Sequence, residues 1–127
     1  MNPDPSLCSA ILEQSADAII YADREGIIRR WNLAAERLFG FAAGQAVGQS
    51  LDLIILERLR APHWAGYHRA IAAGQTRRHA GKPTLTKALH SSGETRYVEM
   101  SFAVVTGAAG AVVGSVAIAR AAKPPAR

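Results

Sequence analysis

His63 is the residue of this chain best placed to do chemistry. It shares a helical face with Leu59, Tyr67 and Ile71 at steps of four, and Gly66 and Ala70 join that face at the step of three. A neutral imidazole on an apolar face is a good metal ligand. Arg69 and Arg77 follow, and each can pair with a carboxylate through a charge-assisted hydrogen bond. The other histidines offer less. His68 lies on a polar flank, His79 in a basic stretch and His90 at the end of a turn, all positions of solvated side chains. His68 and His79 could share a metal if the chain folded back, but no acidic or cysteine partner sits at a suitable spacing. The ten carboxylates are scattered, with Asp17, Asp23 and Glu25 in or near turns. No nucleophile elbow or phosphate-binding glycine loop is present, and Ser91, Ser92 and Gly93 read as a turn. The chain is therefore expected not to be an enzyme.

The elements that must position His63 are legible from periodicity and turn residues. Pro3 and Pro5 precede a helical pattern over 6–15, with Leu7, Ala10, Ile11 and Gln14 on one face. Residues 18–22 and 27–32 read as a hairpin. Its connection at 23–26 carries Gly26, which is free to take a positive φ. Both faces of the first strand are largely apolar, so the sheet should be packed on one side and covered on the other by the N-terminal helix or a partner. Asn32 can cap a helix over 33–39, and Gly40 can end it. A short helix follows over 42–47, then a single turn at 51–55. The longest internal helix spans 58–73, with Pro62 in its first turn and Gly74 as its stop. Strands are expected over 84–89, 95–105 and 112–120, joined by turns at 91–94 and 108–110. The sum is an α+β domain: a five-stranded antiparallel sheet with short helices and one longer helix on one face.

Size and composition are compatible with that arrangement. At 127 residues the chain fits one domain, and 49% hydrophobic against 20% charged residues can build a core. Residues 1–9 are expected to form an N-terminal extension, 10–120 the domain, and 121–127 a flexible tail with Pro124 and Pro125. No apolar run is long enough to span a bilayer, and no secretory signal opens the chain. Cys8 is the single cysteine, so no internal disulfide can form and a cytoplasmic location is expected. The net charge of +5 includes a cluster of Arg58, Arg60, Arg69, Arg77, Arg78 and Lys82. It reads as a solvated basic face, or as a site for a local anion. No nucleic-acid-binding signature accompanies it, so neither nucleic acid nor membrane is an expected partner.

The hairpin at 17–32, Asn32 with Ala34 to Gly40, Val47 with Gly48, and Ser92 with Gly93 together resemble the PAS family of sensory domains. The resemblance runs from about residue 10 to 120. It implies a pocket for a small ligand or cofactor between the sheet and the middle helices, and an outer sheet face that often makes dimers. Within the family, the stretch 60–69 is similar to the haem-carrying helix of the oxygen-sensing members, the rhizobial oxygen-sensor kinases and the direct oxygen sensor. It implies a b-type haem with His63 as the iron ligand. Tyr67, Arg69 and Arg77 would lie around it, and Leu85, Met100 and Phe102 would line its pocket. Gly66 leaves room for a flat macrocycle, and Met100 is a candidate sixth ligand. The arginine that holds oxygen in those relatives falls at Thr84, beside Pro83. Carbon monoxide and nitric oxide therefore join oxygen as candidate gases.

The reading from resemblance is a gas-sensing domain in signal transduction. It would act through dimerisation by the sheet face or N-terminal helix, or through a signalling partner protein. The rivals are a cofactor-free dimerisation module and a domain holding a small organic acid drawn by Arg69 and Arg77. Flavin is disfavoured, because Cys8 lies outside any helix that could present it to the ring.

Overall fold

The first helix, α1 (Pro5–Gln14), starts where Asp4 accepts a hydrogen bond from the Ser6 amide at 3.1 Å. In the computed structural model, which describes residues 4–74 and 83–126, α1 buries none of its residues. Leu7 and Ile11, expected on its packing face, are 54% and 61% exposed. The helix therefore does not close over the sheet with that face.

β1 (Ala18–Asp23) and β2 (Ile28–Trp31) pair antiparallel through a turn that Asp23 organises. Its Oδ1 accepts from the amides of Glu25 and Ile27, both at 3.0 Å, and its Oδ2 from Arg29 Nε at 2.9 Å. Gly26 sits at φ 81°, the conformation the turn requires. β2 is shorter than the hydrophobic run implied. The backbone at 26–28 turns away to bond with 48–51: Leu51 N donates to the Gly26 carbonyl at 3.0 Å and Ile28 N to that of Gln49 at 2.8 Å.

Asn32 then caps α2 (Leu33–Phe39), and Gly40 ends it, as the sequence indicates. α3 (Ala43–Ala46) and two short 3₁₀ turns, Leu51–Ile54 and Glu57–Leu59, lead into α4 (Arg60–Ala73). α4 is the longest helix and carries His63. It starts two residues after the expected position, because the chain before it is wound as the tighter turn. β3 (Thr84–Leu89), β4 (Thr95–Thr106) and β5 (Val112–Ala121) complete one antiparallel sheet in the order β2-β1-β5-β4-β3.

The core lies between this sheet and the helices on its inner face. Ala18, Ile20 and Ala22 of β1 face inward with Ala117, Ala119 and Ser115 of β5, their register partners across the strand pair. Phe39, Ile28 and Val98 are almost wholly buried with Ile20. Burying a side chain of this size stabilises by ~1.5–3 kcal/mol. Small residues in the central strands keep the inner face low, and this leaves space under α4. Among the described residues no helix is long and apolar enough to cross a membrane.

Candidate ligand and cofactor site

The low inner face leaves a cavity of about 170 Å³ between the sheet and the middle helices. Ile54, Ile55 and Leu59 roof it, Ile20 and Ala117 floor it, and His63, Met100 and Phe102 form a side. A groove of about 500 Å³ lies on the other side of His63, between α4 and the strands β3 and β4. Pro62, Gly66, Arg69 and Thr84 are in its walls. The two spaces share His63, Thr86, Met100 and Phe102. The groove falls in the range of ~300–1,000 Å³ typical of ligand pockets, while the inner cavity alone is smaller. Gly66 contributes to the opening. A Cβ built there would have Arg69 Nη2, at 4.0 Å, as its nearest neighbour.

The His63 ring is largely enclosed, and its Nδ1 is buried with no hydrogen-bond partner among the described residues. Burial lowers its pKa; the Asp52 carboxylate opposes this and His68 adds to it. The imidazole is thus held neutral at pH 7, with one nitrogen unsatisfied. A buried polar atom without a partner is costly, so a site with this arrangement favours a ligand that completes it. The same burial makes stability depend on pH. Below the ordinary histidine pKa of ~6.5 the unfolded chain takes up a proton that the folded ring resists, so stability falls as pH drops through that value. Thermal melts of the wild type should decline more steeply from pH 7.5 to 5.5 than those of His63→Leu. Parallel curves would show that the folded ring titrates normally.

Tyr67 lines the groove and reaches on to the sheet. Its hydroxyl donates to the Asp23 carbonyl and lies 3.1 Å from Ser115 Oγ. Its ring meets that of Phe102 at 5.9 Å. Arg69 is exposed on the groove wall, where it can meet an anionic group. Arg77 and His79, with Arg78 and Lys82 of the basic cluster, lie outside the described residues. Leu85 is not in the pocket. It pairs with Glu99 on the outer face of the sheet and is 41% exposed. The neighbouring residue of β3, Thr86, takes the inward place. It pairs with Val98, which shares the face of Met100 and Phe102. The error is one of parity, since successive strand residues point to opposite faces. The pairing across the 90–94 turn would have identified Thr86. The 3₁₀ turn residues Leu51 and Ile54 also line the cavity and carried no signal beyond an apolar run.

The residues present fit a haem in kind: an imidazole whose Nδ1 has no partner among the described residues, beside an apolar groove, with a glycine on the same helix face and a cation at the rim. Among the described residues no cluster of three or more His, Cys, Asp and Glu side chains could hold a metal ion by itself. Among the described residues Lys87 is the one lysine or arginine around the inner cavity, and its ammonium stands over the Tyr97 ring at 5.4 Å. An organic acid would therefore find its cation at Arg69, on the groove side.

A family model described as the PAS fold matches residues 6–121. A stretch of 54 residues is 41% identical to the sensor protein FixL of Bradyrhizobium diazoefficiens, covering 42% of this chain and 11% of that protein. In three dimensions the chain is similar to the PAS domain of a protein from Colwellia psychrerythraea, with TM-score 0.77 and 22% identity over 92% of this chain and 95% of that one. It is similar also to an RNA-binding light-oxygen-voltage receptor, with TM-score 0.72 and 22% identity over 92% of this chain and 33% of that one. At such identities the structural likeness speaks to the fold alone.

Proposed function

Because the chain belongs to the PAS family, whose model covers residues 6–121, we propose that it is a sensory domain in signal transduction that binds b-type haem through His63 and responds to a diatomic gas. The observation that carries this reading is the buried His63 Nδ1 without a partner among the described residues, on a ring that borders both the inner cavity and the groove. The partial likeness to a sensor protein supports it.

The chain's own residues have separable roles. His63 presents a neutral imidazole to the iron, and its burial keeps the proton off the ligating ring. Arg69 offers a guanidinium at the rim to a carboxylate of the cofactor. Met100 and Phe102 exclude water from the same wall. The iron of a bound haem supplies the coordination position for the gas. Oxygen, carbon monoxide and nitric oxide are the candidate ligands. Thr86 and Thr84 bring hydroxyls to the groove from β3, weaker donors than a guanidinium, which favours carbon monoxide or nitric oxide. Any displacement of His63 is carried by α4 to the sheet through Tyr67 and Asp23.

Titration of the purified protein with hemin tests this. A Soret band should grow to one equivalent, disappear in His63→Ala, and return in part when imidazole is added to that variant. A protein that stays without a Soret band after hemin addition sinks the haem reading. A second reading, a cofactor-free dimerisation module, draws on the apolar surface left open at Ile118, Val113, Leu7 and Ile11. Dimers that persist in haem-free protein and dissociate in Ile118→Asp would favour it.

A further inference from the structure

Trp64 follows His63 in α4, yet its indole does not lie along the groove. The far edge of the ring rests on Gly26 in the β1–β2 turn, so closely that a Cβ at Gly26 would fall within the ring. The near edge donates from Nε1 to Asp52 Oδ1 at 2.7 Å. Asp52 belongs to the 3₁₀ turn Leu51–Ile54, whose first amide is bonded to the Gly26 carbonyl at 3.0 Å. Turn, 3₁₀ segment and α4 therefore meet at one side chain. The His63 ring packs against this fixed indole edge-on, with centroids 4.7 Å apart and planes at 79°. His68 closes the outer side at 5.9 Å, nearly parallel to the indole.

We infer that Trp64 is a positioning residue for the site. Clamped between Gly26 and Asp52, it holds the His63 imidazole in place at the border of the cavity and makes the β1–β2 turn part of the binding apparatus. The geometry supports this in two ways. A side chain fixed at both ends can orient its neighbour, because a shift of the indole would cost either the Asp52 hydrogen bond or the contact with Gly26. The imidazole has no hydrogen bond at Nδ1 to set its own orientation. In its place, the aromatic contact with Trp64 limits the ring's rotation.

This inference rests on the reading of His63 as the iron ligand, but its test separates the two. In haem-free protein, the His63 ring proton is followed by NMR as a function of pH in wild type, Trp64→Leu and Trp64→Phe. In parallel, hemin affinity and the Soret position are measured for the same proteins. The expected result is that Trp64→Leu moves the His63 titration toward that of a free imidazole and weakens hemin binding at least tenfold. Trp64→Phe, which keeps the ring contact and loses the hydrogen bond, should fall between. Thermal unfolding of each variant is measured alongside, so that a Trp64→Leu protein that melts cooperatively near the wild-type temperature separates loss of the clamp from loss of fold. If wild type takes up no hemin, the haem reading fails while the NMR titration still decides the clamp. An unchanged His63 titration and ring environment in Trp64→Leu would overturn the clamp whether or not hemin binds.

Discussion

Asn32→Ala should remove about 3–4 kcal/mol of folding stability, a large share of the ~5–15 kcal/mol typical of a domain. The side chain is 3% exposed and uses its full hydrogen-bonding capacity. Oδ1 accepts from the amides of Ile19 at 2.9 Å and Ala35 at 3.0 Å. Nδ2 donates to the carbonyls of Leu12 at 2.8 Å and Asp17 at 3.0 Å. One residue thus joins the end of α1, the α1–β1 link, strand β1 and the start of α2. Alanine removes the helix cap, worth ~1 kcal/mol, and leaves three other backbone groups short of a partner at ~1 kcal/mol each. Urea denaturation should show a much lower midpoint with a nearly unchanged slope. α1 should also lose protection from hydrogen exchange first, because it buries no residue and, beyond its packing on α2, is tied among the described residues by the bond from Arg30 Nη2 to Ser9 Oγ at 2.7 Å. Asn32→Asp retains both acceptor roles but sets a carboxylate against the Leu12 and Asp17 carbonyls. It should be destabilised at pH 7 and recover in part as the carboxylate is protonated. A stability for Asn32→Ala within about 0.5 kcal/mol of the wild type would show that water replaces these bonds freely.

Asn32 also illustrates what could be read without coordinates. Its position after a hairpin and before an apolar helix marked it as a cap, and the bond to the Ala35 amide is that cap. Its other three bonds reach residues 13 to 20 positions away and have no local signature. The same division holds at the site. His63, Gly66 and Tyr67 lie on one helix face, so a period of 3.6 placed them together, whereas Arg69 came from the family resemblance. Met100 and Phe102 share a strand face because side chains two apart on a strand point the same way. Leu85 was misplaced because joining β3 to that face depends on the register across a hairpin, and a shift of one residue inverts the face. The apolar face of α1 was readable, but what it packs against was not, and Leu7 and Ile11 remain exposed. Trp64 carries no local signature of its role. Its partners come from a turn 38 positions earlier and a 3₁₀ segment 12 positions earlier, which no helical period can indicate.

A double-mutant cycle on Gly26 and Trp64 should give a coupling of about 1–2 kcal/mol, outside the ~0.3–0.5 kcal/mol scatter of independent sites. Gly26→Ala faces two separate penalties. The residue sits at φ 81°, where a Cβ costs roughly 1–2 kcal/mol. The new methyl group would also occupy the space of the indole, and such overpacking costs ~1–3 kcal/mol. The conformational penalty belongs to the backbone and should persist whatever stands at position 64. The steric one needs the indole and should vanish in Trp64→Leu, whose shorter side chain does not reach the turn. Gly26→Ala should therefore cost about 3 kcal/mol in the wild type and about half of that beside Trp64→Leu, as read from urea denaturation of the four proteins. The sign of the coupling carries the argument. If the indole only covered the turn loosely, it would swing aside for the methyl group and the two substitutions would add. A cost for Gly26→Ala that depends on Trp64 means that the turn and the helix bearing His63 share one rigid contact, so displacement of either is felt by the other.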